Sequence, residues 1–191
     1  MKRILQSIIY AFLITSFIGC IEDQIDMTRI ERARNASTII LAEEVLDKKG
    51  IGMGYKVPTW SSRVARLKPF WHYAWNKELN EAIPDSVEFV PMIWDERNVN
   101  EENLSYLEDL ANDGSINYLL GFNEPDLISQ ANMTVEEAIA LWPDLESVGV
   151  PLGSPVTAST SSTWFSDFMS RATEENLRID FVAVHIYDVY N

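Results

Sequence analysis

Cysteine is almost absent from this 191-residue chain. Cys20 stands alone, so no disulfide can form within the chain and the fold rests on its core. Histidine is nearly as scarce. His72 and His185 are far apart in sequence, far from Cys20, and belong to no His-Glu-x-x-His pattern. Neither a metal site nor a cofactor is therefore expected. No Gly-x-Ser-x-Gly occurs, which argues against a serine hydrolase. Gly50, Gly52 and Gly54 alternate but miss the G-x-G-x-x-G dinucleotide pattern, and they read as close packing around a strand. Basic residues are in short supply, 15 Lys and Arg against 29 Asp and Glu, for a net charge of −14. That argues against nucleic acid, whose phosphates demand a basic patch, and against a polybasic membrane surface. Neutral polymers remain acceptable partners.

Long apolar runs are also missing. The longest, Ile4 to Gly19, follows Lys2 and Arg3 and is too short for a comfortable membrane span. Its layout is that of a signal peptide over residues 1–19. Ser16-Phe17-Ile18-Gly19-Cys20 resembles a bacterial lipobox, so Cys20 is the expected lipidation site. The expectation is an extracytoplasmic protein, lipid-anchored to a bacterial outer membrane or cell surface and touching the membrane through that anchor alone. Loss of Lys2 and Arg3 with the signal takes the net charge from −14 to −16. Residues 20–48, with Glu22, Asp23 and Asp26 close behind Cys20, read as an acidic tether. Residues 49–191 read as one monomeric domain.

Within that domain short apolar runs alternate with helical patterns, the signature of βα units and a parallel sheet. The runs are Ile51–Tyr55, Phe70–Trp75, Glu88–Trp94, Asn117–Phe122, Val150–Gly153 and Ile179–Tyr187. Helices are predicted after Pro58, over Glu101–Asn112, from Thr134, and around Trp164–Met169. Thr134 and Glu137 form a capping box, and Gly114 and Gly149 act as stops. The fold class is α/β. About six of the eight strands of a (β/α)8 TIM barrel are present, so the barrel is incomplete. The chemistry favours that reading over an open sheet, because polar and aromatic residues collect at the strand ends, where such a barrel carries its site. These are Trp75-Asn76, Trp94-Asp95, Asn123-Glu124-Pro125-Asp126, Ser154-Pro155 and His185-Ile186-Tyr187.

Glu124 is the sharpest of these. Cleavage of a glycosidic bond needs an acid to protonate the departing oxygen and a second carboxylate to attack or to activate water. A glutamate just past a buried strand suits the first role, and Asn123 beside it suits a sugar hydroxyl next to the anomeric carbon. Six tryptophans in an acidic chain point the same way, since indole faces stack on sugar rings. Trp75 and Trp94, on neighbouring strand ends, are the expected platform, with Tyr55 and Trp164 weaker candidates. Core packing stays open for each, and it is preferred for Trp60, Trp71 and Trp142. For His185 and Tyr187, substrate contact is the reading, although a core histidine stays open at 185. His72 is read as structural.

Gly121-Phe122-Asn123-Glu124-Pro125-Asp126, followed by Gln130-Ala131-Asn132-Met133, resembles glycoside hydrolase family 128. Trp71–Trp75, Phe89–Trp94, Leu152–Pro155 and Asp180–Tyr187 match its pattern in the same order. The resemblance covers roughly residues 49–187. It implies a (β/α)8 glycosidase acting on β-1,3-linked glucan with retention of configuration, and it maps the family's acid/base onto Glu124. The family's nucleophile is a glutamate at the end of strand seven, for which this sequence offers no strand. Asp95, Asp126 and Asp188 do not lie where that nucleophile belongs. The alternative expectation is an inactive fragment or a non-catalytic glycan-binding surface lipoprotein.

Overall fold

A computed structural model describes residues 48–159 and 161–187. The expected signal segment, Cys20, the tether up to residue 47, and Asp188 lie outside the described residues. Among the described residues no helix is long and apolar enough to cross a membrane.

Among the described residues lie five short strands and four α-helices, alternating except that no helix separates β2 from β3: β1 (Gly50–Gly52), α1 (Trp60–Leu67), β2 (Trp71–Tyr73), β3 (Glu88–Phe89), α2 (Glu101–Asn112), β4 (Leu119–Leu120), α3 (Val135–Ser147), β5 (Leu152–Gly153) and α4 (Thr163–Glu174). Each helix has a local cause. In α1, Trp60 and Val64 stand one turn apart and pack with Val87 in a small core under β1. The helix ends where Lys68 turns left-handed and donates its N–H to the Val64 carbonyl at 3.1 Å. Asn100 caps α2 by accepting the Asn103 N–H at 3.0 Å, and Gly114 follows its end at φ 81°. The capping box at α3 forms as expected. Thr134 Oγ1 accepts the Glu137 N–H at 3.1 Å, and Glu137 Oε2 accepts the Thr134 N–H at 2.8 Å. The helix runs on through Pro143, and Gly149 follows it at φ 84°.

All strand pairings among the described residues are parallel, as βα alternation requires. β1 pairs with β2 and β2 with β3; β4 pairs with β5. Single bridges extend the order. Met92, just past β3, pairs with Leu120, and Gly153 pairs with Phe181 in the sixth apolar run. The pairings thus follow chain order from first to sixth run. The strands are shorter than their apolar runs. In the third run Pro91 has no N–H to give, and its neighbours Val90 and Met92 reach the His72 and Asn76 carbonyls singly. The backbone of the sixth run is tied to Leu152, Gly153 and Ser154, and Val182, Val184 and Ile186 are exposed.

The main core lies between the sheet and α2, α3 and α4. Phe89, Ile93, Leu107, Leu119, Phe122, Trp142, Leu145, Leu152 and Phe168 are buried in it. Trp142, fully buried, is wedged edge-on between Phe122 and Phe168 and donates its Nε1–H to the Arg178 carbonyl at 2.9 Å. Arg178 in turn binds the Glu146 and Val150 carbonyls at 3.1 and 3.0 Å, tying the C-terminus of α3 to the segments flanking β5. His72 is structural, as read: it is fully buried, stacked on Trp60, with Nε2 on the Met53 carbonyl at 2.8 Å. Trp60 and Trp142 pack in cores as expected. Trp71 is half-buried and lies over Gly50, where a β-carbon would sit 2.0 Å from the indole. It also borders a cavity of about 520 Å³ with Phe70, Glu88, Val90, Tyr118 and Phe181, which none of the expected site residues lines.

Candidate active site

The backbone after β4 sets the site. The Asn123 N–H donates to the Trp94 carbonyl at 3.0 Å, and the Glu124 N–H donates to the Val156 carbonyl at 2.7 Å. The strand-four segment is thus stitched to the chain on both sides. Glu124 then turns left-handed, at φ 46°. A glutamate held there carries roughly 1–2 kcal/mol of strain, a cost that concentrates at functional positions. Trp75, at the end of β2, is in the same region at φ 54°. The Ala131 N–H returns to the Asn123 carbonyl at 3.2 Å and the Met133 N–H to that of Pro125 at 3.0 Å, closing the loop before α3.

Glu124 is only 4 % exposed, so its carboxylate needs polar partners. It has two, and both come from the sixth run. His185 Nδ1 lies 2.8 Å from Glu124 Oε1, and the Tyr187 hydroxyl donates to the same oxygen. Oε2 accepts from no side chain among the described residues. The adjacent carboxylate, together with desolvation, pushes the Tyr187 phenol up to about 12 from its ordinary value of 10.0. Three residues singled out from sequence, 124, 185 and 187, therefore meet in space across about sixty positions. His185 is a partner of Glu124 and not an isolated core histidine.

Asn123, 4 % exposed, donates from Nδ2 to Gln130 Oε1 at 3.2 Å. Its Oδ1 is sealed from solvent and has no partner among the described residues. An orphaned buried acceptor of this kind typically costs about 1–3 kcal/mol.

The aromatic residues divide. Trp75 is 40 % exposed and its ring packs on Tyr73 with centroids 4.7 Å apart. Tyr73 stands near enough to Tyr187 to add to the upward push on that phenol, which links Trp75 through Tyr73 to the Glu124 group. Trp94 is half-buried against the main core, and its contact with Asn123 runs through its carbonyl. Tyr55 and Trp164 are packing residues. Tyr55 packs at a tilt against Trp60 and donates to the Glu78 carbonyl, while Trp164 lies flat on Phe168 and donates to the Met133 carbonyl.

The nearby acids are occupied. Buried Asp95 caps a short 3-10 turn, accepts the Arg97 N–H at 3.0 Å and is gripped by the Arg97 guanidinium through Nε at 2.7 Å. Asp126 accepts the Ala158 N–H at 2.9 Å. Ser154, fully buried, accepts the Ala183 N–H at 3.1 Å and so holds the sixth run in register. Among the described residues no three His, Cys, Asp or Glu side chains gather as a metal site would require. Tyr73 and Gln130 belong to this neighbourhood but were not among the candidates. Trp71, Tyr73 and Trp75 share one strand face by their spacing of two, a signal the sequence did contain. The amide contact of Gln130 left none.

Residues 52–191 match the family described as glycosyl hydrolase catalytic core. Over 128 residues the chain is 32% identical to alkali-sensitive linkage protein 1 of Schizosaccharomyces pombe, covering 62% of this chain and 22% of that protein. An endo-β-1,3-glucanase of family GH128, subgroup I, from Amycolatopsis mediterranei, solved with laminaripentaose, is 35% identical with a TM-score of 0.65. That match covers 74% of this chain and 58% of the glucanase. A subgroup III curdlan-specific exo-β-1,3-glucanase from Blastomyces gilchristii, solved with glucose, is 29% identical with a TM-score of 0.61, covering 73% and 61%. The chain thus spans about a fifth of the S. pombe protein and less than two thirds of either glucanase.

Proposed function

Because the chain belongs to glycoside hydrolase family 128, we propose that it acts on β-glucan, with β-1,3 linkages as the substrate and Glu124 as the general acid/base of a retaining cleavage. One observation carries the proposal. Glu124 is buried at a parallel strand end in a strained conformation, with His185 and Tyr187 both holding Oε1. That leaves Oε2 to carry the proton toward the glycosidic oxygen. The two contacts hold the carboxyl in place, so no reorientation is needed when the bond breaks. The fold reading that accompanies it is six consecutive strands of a (β/α)8 barrel, supported by parallel pairing in chain order.

In this reading Asn123 meets the hydroxyl beside the anomeric carbon. Trp75, backed by Tyr73, gives a face on which a glucose ring stacks, and Trp94 borders the same rim. Retention needs a second carboxylate about 5 Å from the first. Asp95 and Asp126 are engaged elsewhere, so the attacking group is sought outside the described residues. A second reading, favoured by the exposed Trp75 face packed on Tyr73, is that the chain binds glucan without turning it over. Reducing-sugar release from laminarin separates the two. The first reading expects release that Glu124→Gln lowers by roughly 10²–10⁴; the second expects laminari-oligosaccharide binding with no release. Lipid attachment at Cys20 and extracytoplasmic placement complete the proposal. Radiolabelled palmitate incorporated into the wild type but not into Cys20→Ser is the result that fits.

A further inference from the structure

Ser154 directly follows β5 and stands between the two strand ends that make the site. Two residues on, Val156 is stitched to the Glu124 segment. Its N–H donates to the Phe122 carbonyl at 2.9 Å, and its carbonyl takes the Glu124 N–H at 2.7 Å. Toward the sixth run the ladder stops early. The Ser154 N–H donates to the Phe181 carbonyl at 2.9 Å, but Pro155 has no N–H with which to continue. The Ser154 side chain takes over. Its hydroxyl gives its one proton to the Pro155 carbonyl at 3.1 Å, and its oxygen accepts the Ala183 N–H at 3.1 Å. The sense of that bond is fixed, because a backbone N–H can only donate. Past Ala183, the hydrogen bonds of the sixth run to the rest of the described residues are those of His185 and Tyr187 to Glu124. Ala183, His185 and Tyr187 share one strand face by their spacing of two, while Val182, Val184 and Ile186 are exposed on the other. Burial of apolar side chains therefore does not set the register here. A slip of one residue would put Val184 and Ile186 where His185 and Tyr187 stand. We propose that Ser154 is a positioning residue whose hydroxyl sets the register of the sixth run, so that His185 and Tyr187 both meet Glu124 Oε1. The inference rests on the reading of Glu124 as acid/base and adds to it the residue that assembles its two partners.

The test reads the Tyr187 phenol by ultraviolet difference titration of the full chain, each protein against its own Tyr187→Phe counterpart. In the wild type the phenol stands at about 12, chiefly because it bonds Glu124. Ser154→Ala removes the acceptor, and the phenol is expected to fall most of the way back to 10.0. Val184→Ala trims the exposed face of the same run without touching the bond and is expected to leave the phenol at about 12. A merely structural role would lower the melting point of Ser154→Ala and leave the phenol where it was. Should Ser154→Ala fail to fold, Ala183→Pro removes the other partner of the bond from a half-buried position, with the same fall expected. Laminarin hydrolysis gives a second readout. In Ser154→Ala kcat is expected to drop roughly tenfold to a hundredfold, the scale of a small misplacement at the reacting group, with KM changed by less than about threefold. The proposal is overturned if folded Ser154→Ala, or Ala183→Pro in its stead, keeps the phenol at about 12, or if Val184→Ala lowers it as far. A wild type that releases no reducing sugar overturns the acid/base reading instead, and the titration still decides the register.

Discussion

Replacing Gly50, Gly52 and Gly54 one at a time by alanine gives a graded test of how β1 supports the site. A β-carbon at Gly54 meets nothing within 4 Å. At Gly52 it meets Cε1, Cζ and the hydroxyl of Tyr73 at 2.8, 2.9 and 3.0 Å. At Gly50 it would stand 2.0–2.4 Å from three atoms of the Trp71 indole. Alanine gains about 0.4–1 kcal/mol by restricting the unfolded chain, and overpacking costs about 1–3 kcal/mol. Gly54→Ala should therefore be neutral or slightly stabilising. Gly52→Ala should lose about 1–2 kcal/mol, because the half-buried Tyr73 ring can yield only by pressing on Trp75. Gly50→Ala should lose about 3 kcal/mol, since a 2.0 Å approach forces the whole Trp71 indole to move. At roughly 2–4 °C per kcal/mol, thermal melts followed by circular dichroism resolve the series. Gly52→Ala alone should also weaken laminaripentaose binding roughly threefold to tenfold by moving the Tyr73–Trp75 pair. Equal melting points for Gly52→Ala and Gly54→Ala would refute the packing argument.

Other predictions follow from single groups. Burial pushes the His72 imidazole below its ordinary 6.5, so the folded state holds it neutral while the unfolded chain takes up a proton. Its contribution is complete above about pH 6.5 and is lost as pH falls toward the lowered value, so His72→Gln should flatten the pH dependence of the melting point in that window. Arg178→Ala removes two bonds to backbone carbonyls at the end of α3 and should cost about 2 kcal/mol, with Arg178→Lys recovering less than half; urea unfolding measures both. The Tyr187 phenol, at about 12 beside Glu124, should fall back toward 10.0 in Glu124→Gln, as read from ultraviolet titration against Tyr187→Phe; an unchanged value would mean the pair does not form.

Local rules carried far along this chain. The period of three and four in Leu104, Leu107, Leu110 and Ala111 and the capping box at Thr134 placed the starts of α2 and α3 to within a residue. Gly114 and Gly149 adopt the positive φ a helix stop needs. The strand-end place of Glu124 was legible because an Asn-Glu-Pro-Asp turn follows a run too apolar to be a loop. Strand lengths were not, since pairing depends on what lies alongside. Pro91 breaks one ladder, and among the described residues the backbone of the sixth run pairs with the fifth. The division of the two histidines could be read from strand alternation: His72 faces the helices, opposite Trp71 and Tyr73. The Asn123–Gln130 contact depends on how the loop after Glu124 folds back, and the capping of the 3-10 turn by Asp95 leaves no hydrophobic period to read. Cys20 and its lipid rest on the sequence motif alone.

The measurement closest to the central claim is reducing-sugar release from laminarin by the wild type and Glu124→Gln, read beside laminaripentaose affinity for both. The account predicts a loss of roughly 10²–10⁴ in turnover, with affinity changed by less than about threefold, because the amide keeps the shape of the carboxyl and surrenders only its proton. Release by Glu124→Gln within a few-fold of the wild type would contradict it.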